Sequence, residues 1–127
     1  MTTYYSVPVG LKHRLSMQIQ PMADLVPGTL EMLILRTLLR GPVHGYGIAQ
    51  RIQNASNDVL AVEEGSLYPA LQRLLRKGWV TAAWGTTGLN RRARFYTITR
   101  DGRKQLGEEV SAFKRVTRAI ERVLGEG

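Results

Sequence analysis

The chain has no cysteine, which excludes disulfides and thiolate metal sites and suits a reducing compartment. Its two histidines, His13 and His44, have no carboxylate or second histidine at ligand or catalytic spacing. Asp24, Glu31, Asp58, Glu63 and Glu64 make no acid–base pair pattern. Gly41, Gly45 and Gly47 follow no strand of a βαβ unit and read as turn and packing glycines rather than a phosphate cradle. No apolar run approaches the ~20 residues that cross a bilayer, and Lys12, His13 and Arg14 precede no apolar stretch of a secretory signal. Acid is also scarce, with 10 Asp+Glu against 18 Lys+Arg and a net charge of +8. The expectation is a cytoplasmic protein that is not an enzyme and needs no metal or cofactor. An excess of arginine suits a polyanionic partner, and composition alone does not choose between nucleic acid and an anionic membrane surface.

At 127 residues the chain is long enough for one core and too short for two. Residues 1–23 have no periodic pattern and read as a loosely ordered N-terminal arm, with at best a short helix near Leu11–Ile19. Met22 reads as a second candidate start within it. Residues 24–100 carry regular patterns. Leu30, Met32–Leu35, Leu38 and Leu39 predict a helix that is apolar nearly all round, capped by Thr29 and ended by Gly41-Pro42. Gly45–Ala55 predicts a second helix with Tyr46, Ile48, Ala49 and Ile52 inward, and Val59–Val62 a short strand.

The segment from Glu64 to Lys77 predicts a third helix, stopped by Gly78. Leu67, Ala70, Leu71, Leu74 and Leu75 form its apolar stripe, and Ser66, Tyr68, Gln72, Arg73, Arg76 and Lys77 its polar face. Strand candidates Trp79–Trp84 and Ala93–Thr99 follow, joined by a Gly-, Thr- and Asn-rich tip. Asp101 then starts a helix running to about Leu124. The order predicts an α+β, mainly α, fold: a winged helix-turn-helix with an appended helix over 101–124.

One helix face set in a core and the other offering Ser, Tyr, Gln and Arg suits a DNA groove. Within it, Ser66 near the helix start can hold a phosphate, and Tyr68 can donate to phosphate or pack on a sugar. Gln72 suits adenine and Arg73 guanine through paired hydrogen bonds, Lys77 adds charge, and Pro69 in the first turn shapes the helix start. Arg91, Arg92 and Arg94 on the hairpin would bracket the backbone. From Arg73 to Lys104, nine Lys or Arg are opposed by Asp101 and, just before the stretch, Glu64. The plain alternative is a solvated charge run. Leu106, Val110, Phe113, Ile120 and Leu124 form an apolar seam on the last helix. With Leu30 and Leu33 of the first helix it predicts a homodimer, presenting two groove helices ~34 Å apart.

The motifs Pro27-Gly28-Thr29-Leu30-Glu31-Met32-Leu33-Ile34-Leu35, His44-Gly45-Tyr46-Gly47-Ile48, Gly65-Ser66-Leu67-Tyr68-Pro69-Ala70-Leu71-Gln72-Arg73-Leu74 and Arg92-Ala93-Arg94-Phe95-Tyr96-Thr97-Ile98-Thr99 stand in an order that resembles the PadR family of bacterial transcriptional regulators. The resemblance covers about residues 24–124. It implies a dimeric repressor on operator DNA, a groove helix with Ser66, Tyr68, Pro69 and Arg73, and a wing with Arg91, Arg92 and Arg94. Some relatives bind phenolic acids or flat aromatic drugs near the dimer interface, so a small aromatic effector is a partner the resemblance leaves open. The last helix lacks tryptophan, with Phe113 its only aromatic residue, and ligand binding is not carried over. Three alternatives remain: a winged-helix module for an acidic protein, a switch whose DNA release is ligand-controlled and, weakest, a membrane-surface role.

Overall fold

In the computed structural model, which describes residues 28–125 and the backbone of Gln20–Pro21, the first helix opens from Gly28 in a left-handed turn (φ 94°). This helix, α1 (Thr29–Thr37), continues into a 3-10 turn over Leu38–Arg40. Thr29 was expected to cap it; instead Thr29 is its first residue, and no side chain bonds the free N–H groups there. Ile34, Leu35 and Leu38 are fully enclosed, as the all-round apolar pattern requires.

The two-residue strand β2 (Val43–His44) leads into α2 (Gly45–Ala55), where Ile48 and Ile52 reach the core. The short strand β3 (Leu60–Ala61) pairs in parallel with β1 (Gln20–Pro21), so this end of the N-terminal arm is tied to the domain. The rest of the arm, including the expected helix near Leu11–Ile19 and the Met22 start, lies outside the described residues.

Helix α3 (Glu64–Lys77) buries Leu67, Ala70, Leu71 and Leu74 at the spacing read from the sequence. It ends at Gly78, whose φ of 76° a residue with a Cβ adopts only under strain. Pro69 was placed in the first turn. Because the helix begins at Glu64, Pro69 falls in the second turn, where it has no N–H to offer the Gly65 carbonyl.

Strands β4 (Val80–Thr86) and β5 (Arg92–Ile98) form an antiparallel hairpin, and β2 adds to the free edge of β5, giving the order β2-β5-β4. The 25-residue helix α4 (Arg100–Leu124) closes the fold. Thr99 caps it by accepting from the Gly102 N–H at 3.0 Å, and its hydroxyl donates to the Gly78 carbonyl at 2.8 Å. The start of α4 is thereby bolted to the α3–β4 junction.

Gly102 lies at that bolt. A Cβ there would stand 2.2 Å from the Trp79 carbonyl oxygen, a backbone atom that cannot swing away. Gly102→Ala is therefore expected to destabilise the protein by ~2–3 kcal/mol, the usual cost of overpacking. A thermal melt with an unchanged midpoint would refute this.

The core joins Ile34 and Leu35 of α1 and Leu38 of the 3-10 turn to Ile48, Ile52, Leu71, Leu74, Val80, Tyr96, Ile98 and Leu106. After Leu106 the core contribution of α4 fades. Val110 packs against the core's edge, and the second half of the helix leaves the domain.

Candidate nucleic-acid interface

On α3 the core residues fix one side, and the 100° step per residue then places the others. Gly65, Pro69, Gln72 and Arg76 form the stripe opposite the core, and all are exposed. Tyr68 lies on one flank, and Ser66, Arg73 and Lys77 on the other. Tyr68 reaches the start of α2: a Cβ at Gly45 would come within 3.0 Å of its hydroxyl.

Arg73 and Lys77 are not loose surface cations. Arg73 donates through Nε to Oε2 of Glu31 on α1, and the Lys77 ammonium lies 3.2 Å from Oε1 of the same carboxylate. Lys77 also sits 4.7 Å from the centre of the Trp79 ring. The Glu31 side chain is 6% exposed, against 43% and 45% for its two partners. Burial alone would push the Glu31 carboxyl upward. The hydrogen bonds and charges of Arg73 and Lys77 outweigh that and hold it below the ordinary glutamate value of 4.5.

Glu31 therefore contributes stability that is present above pH 4.5 and lost as pH falls through its lower folded value. The acid limb of a pH–stability profile is expected to shrink in Glu31→Gln. An identical limb in parent and variant would contradict this.

The hairpin register puts Val80 opposite Ile98, Ala82 opposite Tyr96, Trp84 opposite Arg94 and Thr86 opposite Arg92, all on one face. At the base of that face Ile98 and Tyr96 enter the core; further out it turns cationic. The Arg92 guanidinium lies 4.8 Å from the centre of the exposed Trp84 ring, and that of Arg94 lies 6.0 Å from the Tyr96 ring. Burial pushes the Tyr96 phenol above its ordinary range. Arg94 opposes that shift, while Tyr68 across from it adds to it. Tyr68 lies beside Gly45, the residue that follows β2, and β2 in turn pairs Val43 with Tyr96.

The Gly-, Thr- and Asn-rich tip is closed by its own hydrogen bonds. Thr87 donates to the Arg91 carbonyl at 2.8 Å and accepts from Asn90 at 2.9 Å. Its hydroxyl accepts from the Leu89 and Arg91 N–H groups, each at 3.2 Å. Asn90 supplies the left-handed residue of the turn (φ 61°).

Of the residues singled out in the sequence, Arg92 and Arg94 share one face of the wing, and Tyr68 lies on the α3 flank beside the start of α2. Pro69 and Gln72 lie on the outward stripe, Ser66 is half-buried on the α1 flank, and Arg91 sits at the wing's tip. Three further residues belong to this surface. Arg76 is the outward cation of α3, legible from its spacing to Pro69 and Gln72. Trp84 is 61% exposed beside Arg92, a pairing that depends on strand register. Tyr46, expected inward, is 64% exposed at the start of α2, with its hydroxyl accepting from Gln50 Nε2 at 3.2 Å.

Two of the residues expected at a dimer interface are claimed by the protomer itself. Leu30 and Leu106 are buried in its core, and Leu33 and Val110 are half-buried against it. Phe113, Ile120 and Leu124 remain exposed, joined by Val116 and Val123. Among the described residues no group of His, Cys, Asp or Glu could hold a metal ion, and no helix is long and apolar enough to cross a membrane.

Three helices, a β2-β5-β4 sheet and a cationic wing beside an exposed helix define a winged helix-turn-helix, a DNA-binding class of transcriptional regulator. The chain belongs to the Transcriptional regulator PadR-like family, whose model matches residues 34–108. An uncharacterized protein of Lysinibacillus sphaericus is 32% identical over 99 residues, 78% of this chain and 91% of the relative. A transcriptional regulator from Clostridium thermocellum superposes with a TM-score of 0.70 at 25% identity, covering 78% of this chain and 96% of that one. A PadR-like transcriptional regulator from Bacillus cereus gives 0.64 at 27% identity, with coverages of 76% and 92%.

Proposed function

We propose that the protein is a dimeric repressor that binds a palindromic operator, with α3 in the major groove and the 85–94 wing along the backbone. One observation carries this reading: the outward stripe of α3 (Pro69, Gln72, Arg76) and the wing cations Arg91 and Arg92 are all exposed, and Tyr68 on the α3 flank lies beside Gly45, next to the β2–β5 pairing from which the wing extends. On it, Gln72 and Arg73 read bases, Ser66, Tyr68 and Lys77 meet phosphate or sugar, and Pro69 shapes the helix. Arg76, Arg91, Arg92 and Arg94 supply phosphate contacts, which position the protein without reading sequence. Repression follows from occupying a site that overlaps a promoter.

The dimer reading rests on α4. Phe113, Val116, Ile120, Val123 and Leu124 are exposed at intervals of three, four, three and one along a helix that has left its own core. Beside them, Met32, Phe113, Val116 and Ile120 line an apolar groove of about 380 Å³ between α1 and α4. A two-fold contact along this seam would present two copies of α3 to successive major grooves.

The test is selection of duplexes from a random-sequence library by the purified protein. An inverted repeat with half-sites ~10 base pairs apart supports the reading. Enrichment of a lone half-site would defeat the dimer, and no enrichment would defeat sequence-specific binding.

A small aromatic effector is a second reading, favoured by one feature of the same groove. Glu109, which helps line it, has Oε2 bonded to Gln105 at 3.0 Å and Oε1 buried without a partner among the described residues. Release of the selected duplex by a small aromatic compound would support that reading.

A further inference from the structure

We propose that Glu31 is a positioning residue for base reading: it holds Arg73 by Nε so that the terminal amino groups of the guanidinium face the DNA. This rests on the DNA-binding reading of α3 and adds to it a residue from a helix that does not itself enter the groove.

Arginine reads guanine through two parallel hydrogen bonds, and its long side chain must be ordered for both to form. On an open helix face that order has to come from elsewhere. Here it comes from α1. Glu31 is the only charged side chain buried among the described residues, and a buried carboxylate must be fully paired. Both its oxygens are taken by α3, Oε2 by Arg73 Nε and Oε1 by the Lys77 ammonium at 3.2 Å.

The atom used on Arg73 matters. Nε is the donor nearest the chain, and the two terminal nitrogens make no hydrogen bond among the described residues. The side chain is 43% exposed, so that end remains reachable from solvent. Lys77 completes the clamp from one helical turn further along and is itself braced over the Trp79 ring. The carboxylate therefore fixes the base of the guanidinium and leaves its reading edge free. Glu31 also sits between Leu30 and Met32, both core residues, so its own position is set by packing.

The test uses a duplex selected by the wild-type protein, its single-base variants and a scrambled duplex. These are titrated with wild type, Glu31→Gln, Arg73→Ala and the double variant, each with a thermal melt. Arg73→Ala is expected to lose about tenfold or more in affinity for the selected duplex and to stop discriminating at one base pair. Glu31→Gln should relax preference at that same base pair several-fold, while binding to scrambled DNA does not weaken. Adding Glu31→Gln to Arg73→Ala should then cost nothing more on the selected duplex, because the two residues act as one unit.

Glu31→Gln weakening all duplexes alike, in step with its loss of thermal stability, would reduce Glu31 to a structural role and overturn the proposal. So would relaxed preference at a different base pair, or additive losses in the double variant. If the wild-type protein selects no duplex at all, the DNA-binding reading fails first and this proposal falls with it.

Discussion

Replacing Val116 and Ile120 together by aspartate is expected to give a folded monomer that binds the selected duplex at least ~10²-fold more weakly than the parent. Both side chains are more than half exposed, so their loss removes little from the protomer's own core. Four carboxylates facing one another across a two-fold seam would oppose its closure. A monomer engages one half-site and forfeits the effective concentration that the linked second module supplies, which is worth ~10²–10⁴ in affinity. Sedimentation should show a single protomer that still unfolds cooperatively, with a midpoint that no longer depends on protein concentration. A variant that stays dimeric with parental affinity would show that the seam is not the interface. The same substitutions at Leu30 or Leu106 would not be informative, because those leucines are buried in the core and their replacement would unfold the domain.

The second large effect is expected from Arg91, Arg92 and Arg94 replaced together by alanine. Each phosphate neutralised contributes ~0.9 to the slope of log affinity against log salt, so the slope should flatten by up to ~3. Affinity for selected and scrambled duplexes should fall together, by ~10² at physiological salt, leaving their ratio nearly intact. The hairpin itself should survive, because its seven paired positions are held by the backbone register and by Tyr96 and Ile98 at its base. Trp84 loses its cation and becomes a bare exposed ring. A changed specificity ratio at constant salt slope would mean that the wing reads bases rather than holding the backbone. No change in either would remove the wing from the interface.

The parts of the fold legible in the sequence are those governed by one periodicity. The stripe Leu67, Ala70, Leu71, Leu74 could only be a helix with a buried side, and Gly78 could only end it. The alternation through Tyr96 and Ile98 similarly fixed a strand with one face in the core. Family membership was legible because motifs around Leu67-Tyr68-Pro69 and Tyr96-Thr97-Ile98-Thr99 stand in one order.

Thr29 and Pro69 were misplaced by a shift of helix start, and most of the other differences depend on contacts between segments distant in the chain. Leu30 and Leu106 carry the apolar spacing of an interface, but α1 and α4 meet inside one protomer and use them there. Tyr46 has an aromatic ring next to core-facing residues of α2, yet Gly45, Gly47 and Ile48 take the buried side of the first turn and leave Tyr46 exposed. Arg73 looks like a free cation because Glu31 is 42 residues away along the chain. Trp84 and Arg92 come together only through the hairpin register. Pairings of this kind follow from tertiary packing, which no local pattern encodes.

The most direct test of the proposed function is a salt-series titration of the protein against the duplex it selects and a scrambled duplex of equal length. At physiological salt the selected duplex is expected to bind ~10³-fold or more tightly than the scrambled one. Both should weaken linearly in log salt, as a cationic surface that releases counterions requires. Equal, weak binding to both duplexes would contradict a sequence-reading regulator and leave only a basic surface suited to an acidic protein partner.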